Sequence, residues 1–170
     1  MKTTCFPLSR RRLVVALGSL GLLATRATAA SNAGESSASR TLVEVWKDPS
    51  CGCCKDWIVH MEAHGFIVTV HETGRSATRA RLGLPANLGA CHTALAGGYL
   101  IEGHVPASDV RALLRAKPIA LGLTVPGMPV GAPGMDGPAY GQRRDPYDVL
   151  LVDKSGHTTV FRSYHRKEAA

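Results

Sequence analysis

Three cysteines crowd into four positions of Asp48-Pro49-Ser50-Cys51-Gly52-Cys53-Cys54-Lys55, and a fourth, Cys91, stands beside His92 far along the chain. Thiolates are soft ligands that select copper(I), zinc or iron–sulfur clusters. Cys51 and Cys54 also form a C-x-x-C pair, the spacing used in thiol–disulfide exchange. Cys53 separates these chemistries. Exchange needs one attacking and one resolving thiol, and a third adjacent thiol invites scrambled bridges. For a soft metal the third thiol is useful. With Cys91 arriving from another loop, four sulfurs can bind or bridge several copper(I) ions.

Zinc and iron–sulfur centres also accept four cysteines. Cys91 is not part of a second C-x-x-C, however, so neither typical zinc pairing nor ferredoxin spacing is met. The leading expectation is a copper(I) site at Cys51, Cys53, Cys54 and Cys91. Two other classes stay open: a thiol–disulfide oxidoreductase using Cys51 and Cys54, and an interaction module stapled by zinc or a disulfide. The residues do not establish catalysis. Copper's two valences leave interconversion of copper(I) and copper(II) as an extension.

Other donors can join the sulfurs. His92 offers an imidazole ligand, against the plainer role of a loop histidine bonded to backbone. Met128 and Met135 each sit in a Pro/Gly turn, an unusual place for a core methionine. Their thioethers suit copper(I) and predict a ligand or lid role, although Met also fills core gaps. His104 is expected to be structural, and His60 and His64, four apart on a helix, to lie on the surface.

The elements that must position these groups are legible. Residues 42–46 are β-branched and strand-like. Asp48 and Ser50 then offer helix N-caps. Cys54, Trp57, Ile58 and Met61 recur at spacings of three and four, which predicts one buried helix face over residues 51–64. A helix N-terminus favours an anion, thiolate included. Residues 66–70 read as a second strand. Residues 75–82 form a basic, weakly helical segment, expected to be a solvated face. Gly97-Gly98 joins two strand-like runs as a tight hairpin, and Ser108 is expected to cap a helix carrying Val110, Leu113 and Leu114. Residues 118–146 hold six prolines and six glycines and read as a long loop without structure of its own. Residues 147–152 and 158–162 read as a closing hairpin. Strand, helix, strand, helix, hairpin, helix is the order of a thioredoxin-like α/β domain, with the cysteines where that fold carries its active site.

The N-terminus predicts export. Arg10, Arg11 and Arg12 form a basic region, residues 13–24 are apolar, and Ala27-Thr28-Ala29 supplies a cleavage site. The basic stretch resembles a twin-arginine signal as much as an ordinary secretory one. Cleavage near Ala29 removes Lys2, Arg10, Arg11, Arg12 and Arg26 and no acid. Lys+Arg then falls from 20 to about 15 against 13 Asp+Glu. The remaining charge of about +2 carries no nucleic-acid footprint. The expected organisation is a signal over 1–29, a disordered leader over 30–40 and one metal-binding domain over 41–165. The expected destination is the periplasm, with no stable membrane anchor after processing.

The run from Val43 to about Val160 resembles the CopG-like family of periplasmic metal-binding proteins. The matching pieces are Asp48-Pro49-Ser50-Cys51-Gly52-Cys53-Cys54 with Trp57, and Cys91-His92-Thr93-Ala94. Tyr99, Ile101-Glu102-Gly103-His104-Val105-Pro106, Val125-Pro126-Gly127-Met128-Pro129 and Pro133-Gly134-Met135 also match. The resemblance implies a thioredoxin-like fold, copper (and silver) binding through the cysteines, and a role in copper tolerance. The implied partners are metal ions and a further periplasmic copper-handling protein.

Overall fold

The computed structural model describes residues 40–166. The expected signal and nearly all of the expected leader lie outside them. Three α-helices and seven strands follow one another: β1 (Leu42–Lys47), α1 (Gly52–Ala63), β2 (Ile67–His71), α2 (Ser76–Arg81), β3 (His92–Ala96), β4 (Tyr99–Glu102), α3 (Ala107–Ala116), β5 (Gly122–Thr124), β6 (Tyr147–Val152) and β7 (Thr158–Tyr164). The α/β class is as expected. All strands join one sheet in the order β2-β1-β3-β4-β5-β6-β7. β1 pairs with β2, and β4 with β5, in parallel; the other pairs are antiparallel.

Side-chain alternation gives this sheet a core on both faces. On β4, successive side chains point to opposite sides. Ile101 therefore packs with Val43, Val45, Trp57, Met61, Val110 and Leu113, while its neighbour Leu100 packs with Leu84, Leu88 and Val152. α1 buries Cys54, Trp57, Ile58 and Met61, the face its spacing predicts. Gly97 and Gly98 both take positive φ, 55° and 86°, the conformation a two-residue hairpin needs to follow strand twist.

Four expectations are corrected. Residues 118–146 are not one structureless loop. They contain β5, which pairs with β4 on one side and β6 on the other, and so carries the C-terminal hairpin into the sheet. Three residues in a Pro/Gly-rich run have too little pattern to register as a strand; their hydrogen bonds come from strands distant in sequence. Ser108 is not a cap, because α3 starts after Pro106, which serves as N-cap. Asp48 and Ser50 do not cap α1 either. Cys51 occupies that position, and Asp48 Oδ1 instead accepts from Ser50 N–H at 3.0 Å and Ser50 Oγ–H at 2.6 Å. His60 is not a plain surface residue: its Nε2 accepts from Ala107 N–H at 3.1 Å, satisfying an orphan donor at the start of α3.

Candidate metal centre

Two loops bring the cysteines together. The first runs from the end of β1 into α1. Lys47, almost fully buried, donates its ammonium to Asp48 O at 2.8 Å and Pro49 O at 3.4 Å and pairs with Glu72 at 3.1 Å. Cys51 N–H closes the turn onto Asp48 O at 3.0 Å. That pins the N-terminus of α1, where Cys53 and Cys54 lie in the first turn. The second loop precedes β3. Its anchor is Glu102, fully buried on β4. Glu102 accepts from Ala90 N–H at 2.7 Å and Thr93 Oγ1–H at 2.6 Å, and it pairs with Arg79. Arg79 donates in turn to Ala90 O at 2.6 Å. Both faces of the Ala90 peptide are therefore held, and Cys91 follows directly. The basic segment around α2 is thus not merely a solvated face: Arg79 turns inward to neutralise Glu102.

Cys51, Cys53, Cys54 and Cys91 present sulfurs all within 4.8 Å of one another. Cys53 Sγ lies 3.6 Å from Cys51 Sγ and 3.7 Å from Cys91 Sγ. Cys54 Sγ lies 3.6 Å from Cys91 O. Cys51 and Cys54 are joined as a disulfide, and Cys53 and Cys91 are free thiols. The thiolate set of four is complete only after two electrons reduce that bond.

Cys91 belongs to a second group. His92 Nδ1 lies 3.4 Å and His104 Nε2 3.0 Å from its sulfur, and the three form a potential ligand cluster. His104 Nδ1 is 2.8 Å from Pro133 O. A carbonyl only accepts, so Nδ1 carries the proton and the Nε2 lone pair faces Cys91. Metal-bound histidines are commonly oriented in this way, by donating the second ring nitrogen's proton to backbone. His92 is fully buried against Trp57, ring centres 4.4 Å apart, and its Nε2 has no hydrogen-bond partner. Trp57 is itself fixed by donating Nε1–H to Val105 O at 2.9 Å. The sequence suggested His92 as a donor and assigned His104 a structural place; the geometry gives His104 the shorter approach to sulfur. A His next to Gly and Pro in Gly103-His104-Val105-Pro106 gave no periodic signal for this.

The methionines part company. Met128 is half exposed and lines the same recess as Cys91. Met135 is buried in the core, and its sulfur accepts from Tyr140 O–H at 3.3 Å. The segment between them does approach the cysteines. Gly134, at φ +81°, lies so close to α1 that a Cβ there would stand 2.7 Å from Cys53 O and Trp57 N. Gly134→Ala is therefore expected to cost about 1–3 kcal/mol from the left-handed backbone alone. It should also displace Pro133 O from His104. A urea midpoint unchanged from wild type would contradict that packing.

Burial sets the protonation states. Desolvation first, then the nearby Cys53 sulfur, pushes the Cys91 thiol up to about 12. Cys91 is thus protonated in neutral water, and a metal bound there must displace its proton, so affinity should rise with pH. Desolvation holds His60, His92 and His104 below their ordinary 6.5. Their folded forms bind fewer protons than the unfolded chain. The stability this contributes is complete above about 6.5 and is lost as pH falls through the lowered folded values. The metal-free protein should show a lower urea midpoint at pH 5.0 than at 7.5. A flat profile would contradict the neutral, buried state of these rings.

Comparison with known proteins follows this geometry. A family described as a protein of unknown function, DUF411, matches residues 88–135, which carry Cys91, His92, His104 and both turn methionines. No curated protein matches. Two solved structures do, titled copper resistance protein CopG, form 2 and form 1. They are 47% and 46% identical, each with a TM-score of 0.68, and each match covers 74% of this chain and 98% of the other. Among the described residues no helix is long and apolar enough to cross a membrane. With nearly half its residues identical over almost the full length of those structures, and with the cysteine loops positioned as described, this chain belongs to the CopG family of copper resistance proteins.

Proposed function

We propose that the protein binds copper(I) outside the cytoplasm and protects against copper by sequestering it or handing it on. The observation that carries this is the convergence of four cysteine sulfurs from two separately anchored loops. Soft thiolates suit copper(I), Cys91 lacks the second C-x-x-C of a typical zinc site, and silver(I) shares the soft-metal chemistry. In this reading Cys51, Cys53, Cys54 and Cys91 are ligands for several ions. His92 and His104 extend the set from Cys91, and Met128 and Met135 belong to the segment that closes over it. The frame, residues 41–165, is read as thioredoxin-like. The order β2-β1-β3-β4, with β3 antiparallel to its neighbours, supports that reading. The periplasm is the proposed compartment, on the strength of the N-terminal signal pattern.

The test is an anaerobic titration of the reduced mature protein with copper(I), followed by metal analysis. More than one tightly held ion per chain is expected. A single weakly held ion would defeat the reading.

The Cys51–Cys54 disulfide favours a second reading, thiol–disulfide exchange. Cys54 is fully buried, which suits a resolving thiol, and Cys51 is partly exposed, which suits an attacking one. Cys53→Ser separates the two. It should lower copper content while leaving exchange through the outer pair intact; copper content unchanged beside intact exchange would favour the oxidoreductase.

A further inference from the structure

The basic segment around α2 borders a recess that opens beside the Cys91 end of the copper site. Its volume is about 310 Å³, and its lining includes Arg75, Arg79, Gly89, Ala90, Cys91 and Met128. That is the lower end of the range for small-ligand sites. Two soft donors, the Cys91 thiol and the Met128 thioether, line one space with two guanidinium groups. No carboxylate lines it. Glu102 neutralises Arg79. Arg75 donates Nε–H to Ala90 O at 3.0 Å, and among the described residues it makes no ion pair. The recess therefore carries one guanidinium without an ion-pair partner beside the Cys91 sulfur.

Copper(I) moves between thiol ligands by exchange, so the donating ligand must stand next to the accepting sulfur. A copper(I) ion held by two thiolates is an anion, because two negative sulfurs outweigh one positive ion. Carboxylates on the carrier add further negative charge. We propose that this recess is the port through which copper is exchanged, and that it accepts copper(I) presented as an anionic complex of a small carboxylate-bearing thiol, with Arg75 as the attracting cation. In the step, a carrier sulfur–copper bond breaks and a Cys91 sulfur–copper bond forms. The Cys91 proton passes to the departing thiolate, and copper keeps its valence. The proposal rests on the copper reading and names the carrier chemistry for the same site.

The test compares copper uptake by the reduced mature chain from two sources, copper(I)–glutathione, which is anionic, and copper(I)–acetonitrile, which is cationic. Electrostatic attraction changes encounter rates by tenfold or more. Arg75→Glu is therefore expected to slow uptake from glutathione by about tenfold and not to slow uptake from acetonitrile. Arg75→Lys should stay near wild type, and Arg79 still holds Ala90 O in each variant. Wild-type uptake from glutathione should fall as salt rises, while uptake from acetonitrile should not; this comparison needs no variant to fold. Equal slowing from both sources, or rates indifferent to Arg75 and to salt, would overturn the port. Failure to take copper from either source would instead overturn the copper reading itself.

Discussion

Cys91→Ser is expected to reduce copper binding more than any other single change. Cys91 is the only cysteine of the four that comes from outside the β1–α1 turn, and its sulfur touches both the cysteine group and the two histidines. Even outer partners of a metal ligand typically cost about 10–100-fold in affinity when removed. Loss of this sulfur should exceed that and should lower the number of copper(I) ions held. Competition against a copper(I) chelator, with metal analysis, reads both effects. The serine hydroxyl is small enough to sit where the thiol was, so the fold should persist. A variant that keeps the full copper complement at wild-type affinity would show that Cys91 is not a ligand.

Glu102→Ala is expected to be the most destabilising single substitution around the site. Glu102 is fully buried and partners the half-hidden Arg79, the Ala90 N–H and the Thr93 hydroxyl. Removing one member of a buried ion pair strands the other, at a cost of about 3–5 kcal/mol. Urea unfolding of the metal-free protein measures this. Glu102→Gln keeps an acceptor for Ala90 and Thr93 and should lose less. A loss below about 1 kcal/mol for the alanine variant would mean that Arg79 finds water when its partner goes. Copper binding by the folded fraction gives a second readout, because the peptide leading to Cys91 hangs on this pair.

Much of the frame could be read from local pattern. The buried stripe of α1, the glycine pair of the β3–β4 hairpin and the cysteine turn at the start of a helix are all short-range features, set by spacing and by what glycine permits. β5 was hidden because its three residues are held by partners contributed by Leu100, Ile101 and Glu102 on one side and Leu150, Leu151 and Val152 on the other. Arg79 looked like one cation on a solvated helix because Glu102, its neutraliser, lies on a distant strand. His104 looked structural because the carbonyl that fixes its tautomer belongs to Pro133, 29 residues later.

By itself, then, the sequence determined that three thiols would crowd a strand-to-helix turn with a histidine-linked fourth elsewhere, and that the spacing suited a soft metal better than a simple exchange pair. Only the tertiary structure decided that Cys91 reaches Cys53 across 38 residues, that His104 joins it with its Nε2 lone pair turned toward the sulfur, and that Cys51 and Cys54 are bonded to each other. The reason is physical. Helix faces and turns are fixed by neighbours three or four residues away. A metal site is fixed by which sulfurs and nitrogens meet, and here those meetings depend on a sheet that pairs strands far apart in the chain.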